Sequence, residues 1–366
     1  MYPDSSVRRV LIFRTGSLGD TVIALPCFHQ IARAFPKAER VLLTQIPVHS
    51  KFTAAMAVLA NTGLVHGDMR YPGGTRNLGE LLGTILAIRR FRPDVLVHLL
   101  PRLTLKEARR DRMFFRLAGV RRFVGSPADV VLRHRLDPAT GLRESHASLL
   151  ARSIAEIGDA NVADLANWDL HLTAAEMDKA AEVLAPLDGM PLLVCGPGTK
   201  MQAKDWGVDN WRALLGRLNA RHPAHGLVTI GTGEERELCD SAARGWVGSK
   251  VNLAGKLSPR ESAAVIGRGR VFIGPDSGPM HLAASVGVPC ACVFAARNYP
   301  GVWYPAGDRN QIVFHRTDCM GCFLETCVAM QKKCILSVTV DEMELAVESA
   351  LDPLKAGNAA LLPIVH

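Results

Sequence analysis

Three times along this chain a short apolar run ends in a glycine-bearing turn that opens a helical pattern. Residues 10–13 (VLIF) pass into RTGSLGD at 14–20 and then a helical stretch at 21–35, stopped by Pro36. Residues 191–195 (PLLVC) pass through a loop at 196–205 into a helix at 209–221, and residues 271–273 run into GPDSGPMH at 274–281. Units of strand, tight turn and helix repeat only when the strands lie parallel and the helices cover the sheet faces. Further strands are expected at 41–45, 95–100, 227–230 and 290–294, and further helices at 172–184 and 78–92. The last of these carries Leu78, Leu81, Leu82, Ile85 and Ile88 at helical spacing and ends before Pro93.

These elements make an α/β chain with two units that meet near residue 170. The expected division is an N-terminal domain at 1–170, a C-terminal domain at 171–350 and a tail at 351–366. A length of 366 residues agrees with more than one domain at about 150 residues each. Apolar residues make up 48% and charged residues 21%, which excludes a wholly disordered, collagen-like or coiled-coil chain. The N-terminal residues lack the apolar core of a signal peptide. The most apolar run, 281–296, is broken by Ser285, Gly287 and Pro289 and falls short of the roughly 20 residues a spanning helix needs. A soluble, cytoplasmic protein is expected.

Charge is unevenly placed. The first 152 residues carry a net +13 and the remainder −5. The densest basic stretch holds Arg89, Arg90, Arg92, Arg102, Lys106, Arg109, Arg110, Arg112, Arg116, Arg121 and Arg122. It reads either as a solvated helix face or as a surface for an anion such as a phosphorylated substrate or an anionic lipid. No aromatic residues alternate with the arginines to stack bases, so nucleic acid is not an expected partner.

The glycine-bearing turns are where chemistry is expected, because ligands of open α/β sheets sit at the carboxyl ends of strands. In the first turn Asp20 reads as a helix N-cap or as a carboxylate general base, with Ser17 and Gly19 in the same loop. The spacing fits neither a dinucleotide fingerprint nor a phosphate loop ending in Lys-Ser/Thr. In the second turn Gly198, Thr199 and Lys204 offer backbone amides and a positive charge to a diphosphate, or form an ordinary strand–helix loop. In the third, Asp276, Ser277 and Gly278 lie at a helix N-terminus with His281 one turn on, a nest for phosphate oxygens or plain capping residues beside a core histidine. No Asp-x-Asp occurs. A diphosphate would then be held by amides, lysine and helix dipoles, with no catalytic metal.

Cys319, Cys322, Cys327 and Cys334 form C-x2-C-x4-C-x6-C, four of nine cysteines within 16 residues. Without a secretion signal the spacing favours a structural zinc or iron site over disulfides, with reduced thiols or a labile disulfide as the alternative. Cys27, Cys195, Cys239, Cys290 and Cys292 sit in apolar surroundings and read as small core residues.

At these motifs the chain resembles a known family. Residues 10–36 (VLIFRTGSLGDTVIALPCFHQIARAFP), 197–215 (PGTKMQAKDWGVDNWRALL) and 273–294 (IGPDSGPMHLAASVGVPCACVF) are similar to segments of the lipopolysaccharide heptosyltransferases, glycosyltransferase family 9, as is the cysteine-rich segment ending CILSVTVDEMELAVESAL. The resemblance implies two Rossmann-like domains facing a cleft, the GT-B architecture, with the acceptor on the first and the nucleotide sugar on the second. It implies inverting transfer of heptose from ADP-L-glycero-D-manno-heptose to an anionic, phosphorylated inner-core lipid-sugar at the inner face of the cytoplasmic membrane. By motif, Asp20 takes the place of the base. Thr199, Lys204, Asp276, Ser277, Gly278 and His281 take the diphosphate positions. Glu234 takes the ribose position, where Glu235 fits almost as well. Some members hold a structural metal on four cysteines.

Two departures bear on substrate. Where relatives carry an Asp after the strand at 95–97, this chain has His98-Leu-Leu-Pro101, and its donor loop reads Gly198-Thr-Lys-Met-Gln. Another nucleotide sugar, a protein acceptor, a nucleotide-sugar epimerase or hydrolase of the same architecture, and a silent nucleotide-binding scaffold are the alternatives.

Overall fold

The computed structural model describes residues 2–45, 54–73, 75, 77–101, 104–125 and 131–352. Arg102 of the basic stretch and the tail from 353 onward lie outside the described residues. The chain divides into two compact units, Met1–Asp137 with Glu144–His171, and Pro138–Arg143 with Leu172–His366. The short segment Pro138–Arg143, assigned to the first domain on sequence, groups with the second unit.

The first unit runs β1 (Arg9–Phe13), α1 (Leu18–Ile23), α2 (Leu25–Ala34), β2 (Glu39–Thr44), α3 (Met56–Leu59), β3 (Gly67–Arg70), α4 (Leu78–Phe91), β4 (Val95–His98), α5 (Leu105–Leu117), β5 (Arg122–Val124) and α6 (His146–Ser153). Its described strands form one parallel sheet in the order β3-β2-β1-β4-β5. Alternate residues of β1 serve opposite faces. Leu11 and Phe13 join Val41, Leu43, Leu96, Ile88 of α4 and Phe115 of α5 in one buried cluster. The helical stretch expected at 21–35 is two helices: Ala24 ends α1 and caps α2, whose first turn contains Pro26, which has no N–H to continue the ladder. The helix expected at 78–92 stops one residue earlier, with Arg92 in the left-handed region at φ 54° before Pro93.

The second unit runs α7 (Ala174–Leu184), β6 (Leu192–Cys195), α8 (Val208–Arg221), β7 (Gly226–Thr229), α9 (Arg236–Ala243), β8 (Lys250–Asn252), α10 (Pro259–Ile266), β9 (Gly269–Pro275), α11 (Gly278–Ser285), β10 (Cys290–Phe294), β11 (Gln311–Phe314), α12 (Lys333–Leu336) and α13 (Val340–Leu351). The sheet is again parallel, in the order β11-β10-β9-β6-β7-β8. On one face Leu193, Cys195, Val271, Ile273, Ala291 and Val293 pack with Trp206, Trp211 and Trp246 and with α8, α9 and α13. Burying side chains of this size stabilises by about 1.5–3 kcal/mol each, so this cluster anchors the unit. α7 starts at Ala174, two residues later than expected. Thr173 is its N-cap, and Thr173 and Glu176 each bond the other's backbone N–H.

Candidate functional site

In the first sheet the chain moves outward from β1 to β2 and β3, then crosses back to add β4 and β5 on the other side. The turn after β1 therefore leaves the sheet where the strand order reverses, the usual ligand position of such sheets. Gly16, at φ 144°, has no room for a side chain, because a Cβ would overlap the Asp20 side chain. Ser17 is the N-cap of α1, and Asp20 is its third helical residue, so the N-cap reading of Asp20 is replaced by a capping box. The Asp20 Oδ2 accepts the Ser17 N–H at 2.7 Å and the Ser17 hydroxyl at 2.9 Å. Gly19 is buried within α1.

Arg14 is the group that sequence reasoning passed over. Its side chain is 3% exposed. It donates to the carbonyls of Leu99 and Asp20, each at 2.8 Å, and holds its guanidinium 3.7 Å from Asp20 Oδ1. Burial alone would raise the Asp20 pKa. The Arg14 charge, both Ser17 bonds and His146 outweigh it and hold the carboxyl below its ordinary value. Asp20 is thus ionised while its side chain stays 29% accessible. Arg14 was legible in principle, since an arginine directly after a buried strand end needs a reason. His146 lies too far along the chain for any local pattern to connect it with this turn.

The second sheet reverses between β6 and β9, and the two remaining glycine-bearing turns leave these neighbouring strands. Their backbones touch: Gly196 N–H donates to Ile273 O at 2.9 Å, and a Cβ on Gly274 would come within 2.8 Å of Gly196 O. Lys204 Nζ lies 2.7 Å from Asp276 Oδ2 and donates to Asp276 O at 3.1 Å, with both side chains largely buried. Ser277, not Asp276, is the N-cap of α11; its hydroxyl makes no capping bond and is buried without a hydrogen-bond partner. Gly278 begins that helix, and His281 is buried within it. Thr199 is half-buried in the first of these turns, where its hydroxyl accepts the Met201 N–H at a long 3.4 Å. Gly198 is buried, and a Cβ there would overlap the Glu235 carboxylate. That carboxylate is occupied in a capping box, accepting Thr232 N–H at 2.7 Å, whereas Glu234 is exposed. Of the two candidates, Glu234 is the one not committed to this cap.

His98, which stands where relatives have an Asp, is buried at the end of β4 with Nε2 3.3 Å from Asp111 Oδ2. Its ring meets those of Phe13 and Phe115 edge-on. A separate cavity of about 320 Å³ lies between α4 and the ends of β2 and β3, lined by residues including Leu43, Met69, Arg70 and Thr84. Asp20 is not part of its lining.

The zinc or iron site expected at Cys319, Cys322, Cys327 and Cys334 is not formed. Among the described residues no group of three or more His, Cys, Asp or Glu side chains is placed to hold a metal ion. All nine cysteines are free thiols. Burial pushes the Cys334 thiol up, and the charges of Cys319, Cys327 and Cys322 add to that, so the four are neighbours without forming a ligand set. Cys319 and Cys322 stay accessible while Cys327 and Cys334 are buried. Cys27, Cys195, Cys239, Cys290 and Cys292 are buried.

Among the described residues no helix is long and apolar enough to cross a membrane. In sequence, the chain is 30% identical to lipopolysaccharide heptosyltransferase 3 of Escherichia coli over 132 residues, 36% of this chain and 38% of that protein. Aligned stretches span 38 to 52% of the length of the curated relatives. In structure, the glycosyltransferase family 9 protein of Veillonella parvula superposes with a TM-score of 0.66 at 16% identity, covering 96% of this chain and 98% of that one. The E. coli heptosyltransferase WaaC with ADP superposes with a TM-score of 0.62 at 16% identity, covering 93% and 99%. These likenesses establish the GT-B fold type, two Rossmann-like α/β units. The profile of glycosyltransferase family 9 (heptosyltransferase) matches residues 143–333, just over half of the chain, and the chain belongs to that family.

Proposed function

We propose that this protein is an inverting glycosyltransferase that moves heptose from ADP-L-glycero-D-manno-heptose to a phosphorylated lipopolysaccharide inner-core acceptor. The observation that carries the reading is Asp20, a carboxylate held ionised yet accessible in the first turn of α1, at a sheet reversal point. An ionised carboxylate in that position is suited to accept a proton. The reaction is one in-line displacement. The acceptor hydroxyl passes its proton to Asp20, its oxygen bonds the anomeric carbon from one side, and the bond to the diphosphate oxygen breaks on the other.

The leaving ADP gains negative charge as it departs. Lys204 supports it as a cation with two N–H groups directed to Asp276 and a third remaining. The amides of Thr199, Ser277 and Gly278, the N-terminus of α11 and His281 add dipoles aimed at the same charge. Gly198 lets the chain pass close to the diphosphate, Glu234 takes the ribose, and Ser17 and Gly19 border the acceptor. ADP as the nucleotide is carried over from the WaaC structure named above. The basic excess of the first 152 residues suits an anionic acceptor.

Asp20→Asn tests the reading. Transfer, followed by ADP release, should fall by at least about 10²-fold, the scale of general-base catalysis, while ADP affinity by calorimetry is unchanged. Turnover near that of the parent protein refutes Asp20 as the base.

A further inference from the structure

Gln331 and Lys332 occupy consecutive left-handed backbone conformations, at φ 46° and 59°, although both carry long side chains. Such conformations are costly for residues other than glycine and persist where the surroundings impose them, often near functional sites. Lys332 is also the N-cap of α12, a role its side chain cannot serve, because an ammonium has no acceptor for the open backbone N–H groups. The side chain is instead largely buried and reaches 127 residues back along the chain. Its Nζ donates to Asp205 O and to Asp205 Oδ2, each at 2.9 Å. The other oxygen of the same carboxylate accepts the Gly207 N–H at 3.0 Å, where α8 begins.

Asp205 follows Lys204 directly, so what holds the one places the other. Gln202–Lys204 is a short 3-10 turn, and the segment 325–332 grips it along its length. The Ala203 N–H donates to Glu325 O at 3.0 Å, the Cys327 N–H donates to Gln202 Oε1 at 2.8 Å, and Lys332 closes the far end at Asp205. Lys204 turns its side chain elsewhere, with Nζ 2.7 Å from Asp276 Oδ2. We propose that Lys332 is a positioning residue: by holding Asp205 it fixes the backbone from which Lys204 reaches the diphosphate of a bound nucleotide. The inference rests on the reading of Lys204 as a diphosphate ligand. Charge adds to the geometry. Without Lys332, the freed Asp205 carboxylate and the nucleotide would compete for the neighbouring Lys204 ammonium. A purely structural tie would stabilise the second unit without changing how tightly a diphosphate is held.

Calorimetry of ADP binding to the full chain tests it. Lys332→Met, which keeps an unbranched stem and removes the ammonium, should weaken ADP binding by roughly tenfold, the scale of coupling within one charge network. Lys332→Arg, which restores a cation of similar reach, should recover most of that loss. In the Lys204→Ala background Lys332→Met should cause no further loss of affinity, because the residue acts through Lys204. Asp205→Asn removes the charge at the other end, while its amide oxygen can still accept the Gly207 N–H. It should give a similar loss, and it serves as the test if Lys332→Met does not fold. ADP affinity that Lys332→Met and Asp205→Asn leave unchanged, with Lys204→Ala still weakening it, overturns the inference and leaves the diphosphate reading standing. Losses that simply add in the double variant also overturn it, since Lys332 would then act independently of Lys204. If Lys204→Ala itself leaves ADP affinity unchanged, both readings fall.

Discussion

At the scale of single residues, the informative pair is Asp20 and Arg14. A depressed carboxyl pKa makes a pH prediction whose sign is fixed. Such a group stays ionised below the ordinary carboxylate range, and its stabilising interactions are present above its unfolded value and are lost as pH falls through the folded one. If Asp20 is the base, the acid limb of kcat/KM lies below that range. Arg14→Gln takes away the largest influence holding the value down, so the limb should move to higher pH while nucleotide affinity is retained. An unmoved limb would show that the titrating group is another residue. The variant also leaves the Leu99 and Asp20 carbonyls without their donor, so some loss of thermal stability is expected alongside.

At the scale of elements, the reversal point of the second sheet depends on two backbones touching where neither has a side chain. Gly274→Ala would put a methyl group 2.8 Å from Gly196 O and 2.9 Å from the Phe272 ring. Both neighbours are buried, so the expected cost is about 1–3 kcal/mol of unfolding free energy from overpacking, read by denaturant titration, with weaker ADP binding as the loops separate. Thr339→Ala, which removes the capping box of α13, should cost about 1 kcal/mol and leave ADP binding alone. Elements of this kind differ in how visible they are in sequence. β10 coincides with its expected span because all five residues of CACVF are buried, leaving a continuous apolar run. The edge strands β3 (GDMR), β5 (RFV) and β8 (KVN) have exposed or half-exposed polar positions and no apolar run that marks them in sequence. Their pairing is set by the neighbouring strand rather than by their own side chains. The same holds for the site. The three turns were legible because each is local, glycine-bearing and next to an apolar run. The approach of His146 to Asp20 and the Lys204–Asp276 pair are tertiary, and no spacing encodes them. The cysteine spacing brings four thiols close in sequence, but close separation does not by itself orient them toward a common centre.

At the scale of the whole molecule, each unit has its own parallel sheet and its own buried cluster, and the residues proposed for the nucleotide all belong to the second unit. ADP alone should therefore act on the second unit. At a hundredfold excess over Kd a ligand stabilises what it binds by about 2.7 kcal/mol, which in hydrogen exchange amounts to roughly a hundredfold slowing for amides that open only when the bound unit unfolds. The expected pattern is slowing across residues 196–205 and 274–282 and through β6 and β9, whose ladder lies beneath both turns. Amides of β1, β2 and β4 should exchange as before, because the proposed donor site borrows nothing from them. Lys204→Ala should erase most of the effect. Protection by ADP centred on residues 14–20 would place the nucleotide on the first unit and reverse the assignment of donor and acceptor.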